Sequence, residues 1–205
     1  MYHDSIAIAA FAKLVEKFKI ATVFETGSYH GRGTEFFSRY VPTVVSCDIS
    51  EHYWNLSASN IKKLGPCFDT SQPGAKVIMR NGKTIVLCHG NSPDVLAQTI
   101  ASGGFAKPFL FYLDAHWNDY WPLLDEIRAI AAANVPDSVV IVHDIQVPGK
   151  PFGYDTYKGQ PLNLDYVKPG LLTINPKYKF EFNSEVNIIE PADPRGVLYV
   201  TPAGR

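Results

Sequence analysis

Cysteine is scarce in this sequence: Cys47, Cys67 and Cys88 are three in 205 residues, and no two form a C-x-x-C pair. An odd, scattered set argues against a disulfide framework or a cysteine zinc site, and points to reduced thiols and a cytoplasmic setting. A surplus of either charge is lacking too. Lys and Arg number 19 against 20 Asp and Glu, for a net charge of −1. That removes the polycationic argument for nucleic acid or an anionic membrane surface as partner. No apolar run approaches the ~18 residues of a membrane-spanning helix. The short apolar stretch 6–12 follows Asp4 rather than a basic segment, so it does not read as a signal peptide. Repeats and low-complexity tracts are absent as well. What remains is the composition of an ordinary soluble domain, expected to be single over residues 1–205 and large enough for a sizeable core. A homodimer is left open.

The stretch 23–37 organises the rest. A short apolar run ends in Glu25 and breaks into a loop with Gly27, Gly31 and Gly33, and a helical pattern starts at Thr34. Such a turn brings bare backbone close to a ligand and points unpaired N–H groups at it. The spacing is E-x-G-x-x-x-G-x-G, whereas a dinucleotide-binding turn reads G-x-G-x-x-G. Asp48 closes the next apolar run, where a carboxylate can accept both hydroxyls of a ribose. Any α/β protein needs glycines where a strand turns into a helix. Glu25 before the turn and Asp48 after it make nucleoside binding the better reading.

This pattern resembles the cofactor site of Rossmann-like (class I) S-adenosylmethionine-dependent methyltransferases, and the resemblance covers residues 20–200. It implies a three-layer α/β/α fold whose sheet is mostly parallel and ends in a C-terminal antiparallel hairpin. It also implies cofactor contacts from Glu25, Gly27, Ser28, Gly31, Gly33, Asp48, Ile49, Asn91, Ser92 and Asp114. Ser92 has a plainer explanation, as a helix N-cap followed by Pro93 at the first helical position.

Apolar periodicity predicts a helix over 5–19, with Ile8, Phe11, Val15 and Phe18 inward and Asp4 or Ser5 as N-cap, covering an edge of the sheet. Strands follow at 21–26 and 43–48, and a helix at 51–64. Asn81-Gly82 signals a hairpin between 77–79 and 84–88, unless only the second of these joins the main sheet. The run 109–113 reads as a central strand buried on both faces. A helix over 120–133 and a strand over 139–142 come next. Residues 145–178 lose periodicity, apart from a short helix allowed at 162–167, and read as a substrate loop or lid. Phe152, Tyr154, Tyr157 and Tyr166 there suit a ring-shaped acceptor. Two alternating runs, 178–182 and 196–200, close the sheet as the antiparallel hairpin.

Polar residues gather at the strand ends, the rim where open α/β sheets bind ligands. Asp114 and Asp144 end neighbouring strands, so together they can hold a hard divalent cation such as Mg²⁺. The segments around them are similar to those of metal-dependent small-molecule O-methyltransferases of the catechol and macrolide-sugar types. Two departures stand out. Ile145 follows Asp144 where an amide ligand is expected, and His116 with Asn118 stands in place of a lysine. Gln146 or water is left as the third ligand. His116 and His143 are the candidate general bases, with Asp144 beside them. The resemblance implies methyl transfer from S-adenosylmethionine to a hydroxyl of a small-molecule acceptor. An NAD(P)-dependent oxidoreductase and a non-catalytic nucleoside-binding module are the rivals.

Overall fold

Short apolar runs alternating with helical periods wind the chain into β-α units on one sheet. The computed structural model describes residues 3–117, 120–190 and 192–204, so Asn118 lies outside the described residues. The elements in order are α1 (Ser5–Phe18), β1 (Thr22–Thr26), α2 (Arg32–Ser38), β2 (Thr43–Asp48) and α3 (Glu51–Lys63). An antiparallel meander follows, made of β3 (Phe68–Gln72), β4 (Ala75–Arg80) and β5 (Lys83–His89). Next come α4 (Ser92–Ala101), β6 (Phe109–Leu113), α5 (Leu123–Ala132) and β7 (Val139–His143). A small hairpin of β8 (Thr156–Tyr157) and β9 (Gln160–Pro161), then α6 (Leu164–Ile174), β10 (Tyr178–Phe182) and β11 (Val197–Pro202), complete the chain.

The sheet has nine strands in the order β10-β11-β7-β6-β1-β2-β5-β4-β3. The five from β7 to β5 are parallel, and β11 and β10 close one edge antiparallel. Register pairs Thr22 with both Thr43 and Phe109. The carboxyl ends of β1, β2, β5, β6 and β7 therefore share one rim. Strand order reverses at β1, which lies between β2 and β6, and a crevice opens at such a switch point.

Alternation along each strand feeds two layers. Val23, Val44, Leu110 and Ile141 pack with Phe11 of α1 and Phe36 and Phe37 of α2 on one face. Ile85 and Leu87 meet Ala58 and Ile61 of α3. On the other face Phe24, Val45, Phe111 and Val140 meet Leu96 of α4, Ile127 of α5 and Leu171 of α6. This is a three-layer α/β/α architecture with a C-terminal antiparallel hairpin.

Three expectations change. Helix α1 covers a face of the sheet rather than an edge, because Phe11 is fully buried among Phe36, Phe37 and Tyr40. Its N-cap is Asp4, whose carboxylate accepts N–H bonds from Ile6 at 3.0 Å and Asn187 at 2.8 Å. Around Asn81-Gly82 both strands pair and both join the sheet, and the polar segment before them adds β3 as an outer edge. Residues 145–178 are not structureless either. Helix α6 spans 11 residues despite Pro169, because Val167, Leu171 and Ile174 are buried in the core. Of the aromatics in that segment, Tyr166 stacks on Trp121 at 5.3 Å between ring centres, and Tyr157 leans on the same ring.

Candidate functional site

The glycine turn is shaped by what must pass close to it. Gly27 and Gly31 take left-handed backbone, at φ 82° and 76°. A Cβ at Gly27 would press on the Asp114 carbonyl at 3.3 Å, and one at Gly31 would press on Ser57 at 3.0 Å. At Gly33 the missing Cβ leaves room for Oε1 of Glu25, which a methyl group would overlap. Glu25 is 4% exposed, and its Oε2 accepts hydrogen bonds from Ser46 Oγ at 2.6 Å and from Thr34 Oγ. Burial pushes its carboxyl up to about 8, the bonds from Ser46 and Thr34 oppose that, and the Asp114 and Asp48 charges add to it. Glu25 therefore carries a proton at neutral pH while no cation lies beside it.

Asp48 ties the loop to the next β-α unit. Its Oδ2 accepts the Tyr29 N–H at 2.8 Å and its Oδ1 the Ser50 N–H at 2.9 Å. Oδ2 also accepts from the Ser28 hydroxyl at 3.4 Å, and Oδ1 retains acceptor capacity that suits a ribose hydroxyl.

A cavity of about 470 Å³ opens at the switch point. It brings together Glu25, Gly27, Ser28, Gly33, Asp48, Ile49 and Ser92 with Asp114, His116, His143 and Asp144. Two expected residues are not in its wall. Gly31 backs onto Ser57, and the Asn91 side chain donates to Asp94 at 3.2 Å. None of residues 145–178 lines it. Tyr29, Tyr53 and Trp117 line it without having been expected, and Tyr29 lies on His30 with ring centres 4.0 Å apart. Exposed aromatic faces and Ile49 beside buried carboxyls fit a nucleoside with a cationic tail. Ser92 is not the N-cap; that position is Asn91. The Ser92 hydroxyl instead donates to Glu126, a fully buried residue of α5 whose carboxyl burial pushes up to about 7.

At the ends of β6 and β7 the charged groups interlock. His143 Nδ1 lies 3.2 Å from Asp114 Oδ1 and 3.0 Å from Asp144 Oδ1. Burial works against a charged imidazole, but the two carboxylates outweigh it and raise His143 to about 9. The same burial works against the Asp144 charge, yet His143 and Arg195 hold this carboxyl well below its ordinary range. Arg195, in the turn before β11, donates through Nε to Asp144 Oδ1 at 2.5 Å and through its terminal nitrogen to Asp155. His116 is exposed, with Nδ1 3.8 Å from Asp155 Oδ2.

Ligating atoms of Asp114, His143 and Asp144 all lie within 4.8 Å of one another, so His143 joins the two carboxylates as a donor whose type suits a divalent cation. The hydrogen bonds do not suit one. Asp144 Oδ1 is taken by two cationic donors, and Asp114 Oδ1 by the same imidazole. A metal ion held through these Oδ1 atoms would have to displace them. The two carboxylates favour an imidazolium, a poor proton acceptor, at His143, while His143, His116 and Asp114 all face the cavity. Arg195, Asp155 and Glu126 escape sequence reading because each meets its partner from a distant element.

No family model matches the chain, and no curated protein matches its sequence. Solved structures match its shape. The O-methyltransferase from Bacillus cereus, in complex with SAH, gives a TM-score of 0.63 at 15% identity, over 96% of this chain and 80% of that one. Trm1 from Pyrococcus horikoshii, bound to S-adenosyl-L-methionine, gives 0.60 at 13% identity over 96% of this chain, which spans 54% of that protein. An rRNA methylase from Streptococcus thermophilus gives 0.56 at 12% identity, over 96% of this chain and 97% of that one. The chain has the fold of Rossmann-like class I methyltransferases.

Proposed function

We propose that this chain is an S-adenosylmethionine-dependent methyltransferase, a single domain over residues 1–205, acting on a hydroxyl of a small molecule such as a sugar, phenol or natural product. One observation carries the reading. The glycine turn, Glu25, Asp48, Asp114 and His116 line a single cavity at the carboxyl ends of the strands in a fold shared with structures that hold this cofactor or SAH.

S-adenosylmethionine, when bound, supplies a methyl group already activated on a sulfonium. The chain's own residues then have four tasks. Asp48 accepts the ribose hydroxyls. Glu25, buried and neutral before binding, gives up its proton when a cation arrives and becomes the counter-charge. His116, exposed on the cavity wall, takes the proton from the acceptor hydroxyl. His143, held between Asp114 and Asp144, fixes those carboxylates as acceptors that align the substrate. No step passes through a metal.

Parallel calorimetric titrations with S-adenosylmethionine, S-adenosylhomocysteine and NAD test the proposal. S-adenosylhomocysteine is expected to bind at micromolar concentration, roughly −8 kcal/mol. Binding of NAD with no response to S-adenosylhomocysteine would favour the oxidoreductase instead.

A further inference from the structure

Around the rim acidic and basic side chains alternate in a row: Asp114, His143, Asp144, Arg195, Asp155 and His116. Its centre is Arg195, and the backbone is built to deliver that side chain. The Gly153 N–H donates to the Pro194 carbonyl at 2.8 Å, and the Gly196 N–H to the Gly153 carbonyl at 3.0 Å. The Asn183 side chain holds the Arg195 carbonyl at 3.0 Å. A Cβ at Gly153 would meet Nη1 of Arg195 at 2.8 Å, and a Cβ at Gly196 would overlap the Ile145 carbonyl. Gly153 therefore clears the path of the guanidinium, and Gly196 lets the turn that carries Arg195 close against Ile145. Asp144 turns to meet it from a left-handed backbone, φ 58°. Asp155 is brought to the other side of the guanidinium by its own N–H, which donates to the Asp144 carbonyl at 2.9 Å.

We propose that Arg195 is the built-in counter-ion of Asp144 and takes the place that a divalent cation shared with Asp114 would fill at the ends of β6 and β7. A hard cation binds carboxylate oxygens at about 2.0–2.6 Å and needs their lone pairs aimed at it. Here Asp144 Oδ1 already receives a guanidinium N–H at 2.5 Å and an imidazole nitrogen at 3.0 Å. Placing two further positive charges beside the Arg195 guanidinium is repulsive until that side chain leaves. Arg195 is thus a positioning residue. It acts through Asp144, keeping that carboxylate oriented without an ion.

The test reads metal affinity, so its outcome is separate from that of methyl transfer. Mn²⁺ binding is measured by electron paramagnetic resonance and calorimetry on the wild-type chain, Arg195→Met, Arg195→Lys and Arg195→Met/Asp144→Asn, with circular dichroism to check folding. The wild type should show no site below 1 mM Mn²⁺ (about −4 kcal/mol). Arg195→Met, which keeps the stem but not the charge, should bind at least tenfold more tightly. Arg195→Lys should restore the wild-type behaviour, and Asp144→Asn should cancel the gain. Micromolar Mn²⁺ binding by the wild type overturns the proposal, as does a folded Arg195→Met that binds no better than wild type. Should Arg195→Met fail to fold, Arg195→Gln replaces it under the same criteria. If that also fails, the wild-type titration decides.

Discussion

Replacing Glu25 by Gln probes the most unusual group in the cavity. The carboxyl is buried, accepts bonds from Ser46 and Thr34, and titrates near 8 instead of its ordinary 4.5. The folded chain therefore keeps a proton to about pH 8 that the unfolded chain releases near pH 4.5. Between those values the folded state binds more protons, so this group's contribution to stability falls as pH rises. At about 1.4 kcal/mol per pH unit, the loss by pH 8 is on the order of 4 kcal/mol. Gln keeps a carbonyl for Ser46 and Thr34 and has nothing to titrate. Urea unfolding followed by tryptophan fluorescence should find the two proteins similar at pH 5 and Glu25→Gln more stable by a few kcal/mol at pH 8. The raised carboxyl of Glu126 affects both proteins alike and cancels in the difference. The variant should also bind S-adenosylmethionine without the proton release that calorimetry in two buffers detects for the wild type at pH 7. A stability difference that stays constant from pH 5 to 8 would refute the reasoning.

Two other substitutions test the cavity. Asp48→Ala should remain folded and lose about 1.5–3 kcal/mol of S-adenosylhomocysteine affinity for each charge-assisted bond removed; calorimetry showing unchanged affinity would take Asp48 out of the cofactor site. Gly33→Ala sets two effects against each other. Helix propensity alone would favour Ala by roughly 1 kcal/mol, whereas the overlap with Glu25 should reverse the sign and destabilise by about 1–3 kcal/mol. A raised melting temperature would show that Glu25 yields easily.

Sequence legibility followed the range over which residues act. The runs at 109–113 and 139–142 could be read because each is a continuous apolar stretch buried on both faces. The glycine turn could be read because its strand, turn and helix are consecutive. Helix α6 was underestimated because Pro169 and Gly170 interrupt its pattern, while its support comes from α5, where Ile127 lies against Gly170. The edge strand β3 is polar and exists by pairing with β4. Arg195 finds Asp144 across 51 positions, and Ser92 finds Glu126 across 34. No local spacing encodes either partnership, so the counter-ion of the rim stayed hidden until the fold brought it there.

The tie between α1 and the segment 187–189 bears on how the protein is made. Asp4 accepts from Asn187 across 183 positions, Ser5 donates to the Asn187 carbonyl, and Ile189 donates to His3. The layer that α1 joins includes Val139, Ile141, Val197 and Tyr199. Within this chain α1 is therefore made well before the strands that complete its cover. At roughly 5–20 residues per second it waits on the order of 10–40 s for those strands, while Phe11 already has Phe36, Phe37 and Tyr40 to pack on. During synthesis that small aromatic cluster can cover Phe11 before the antiparallel edge arrives.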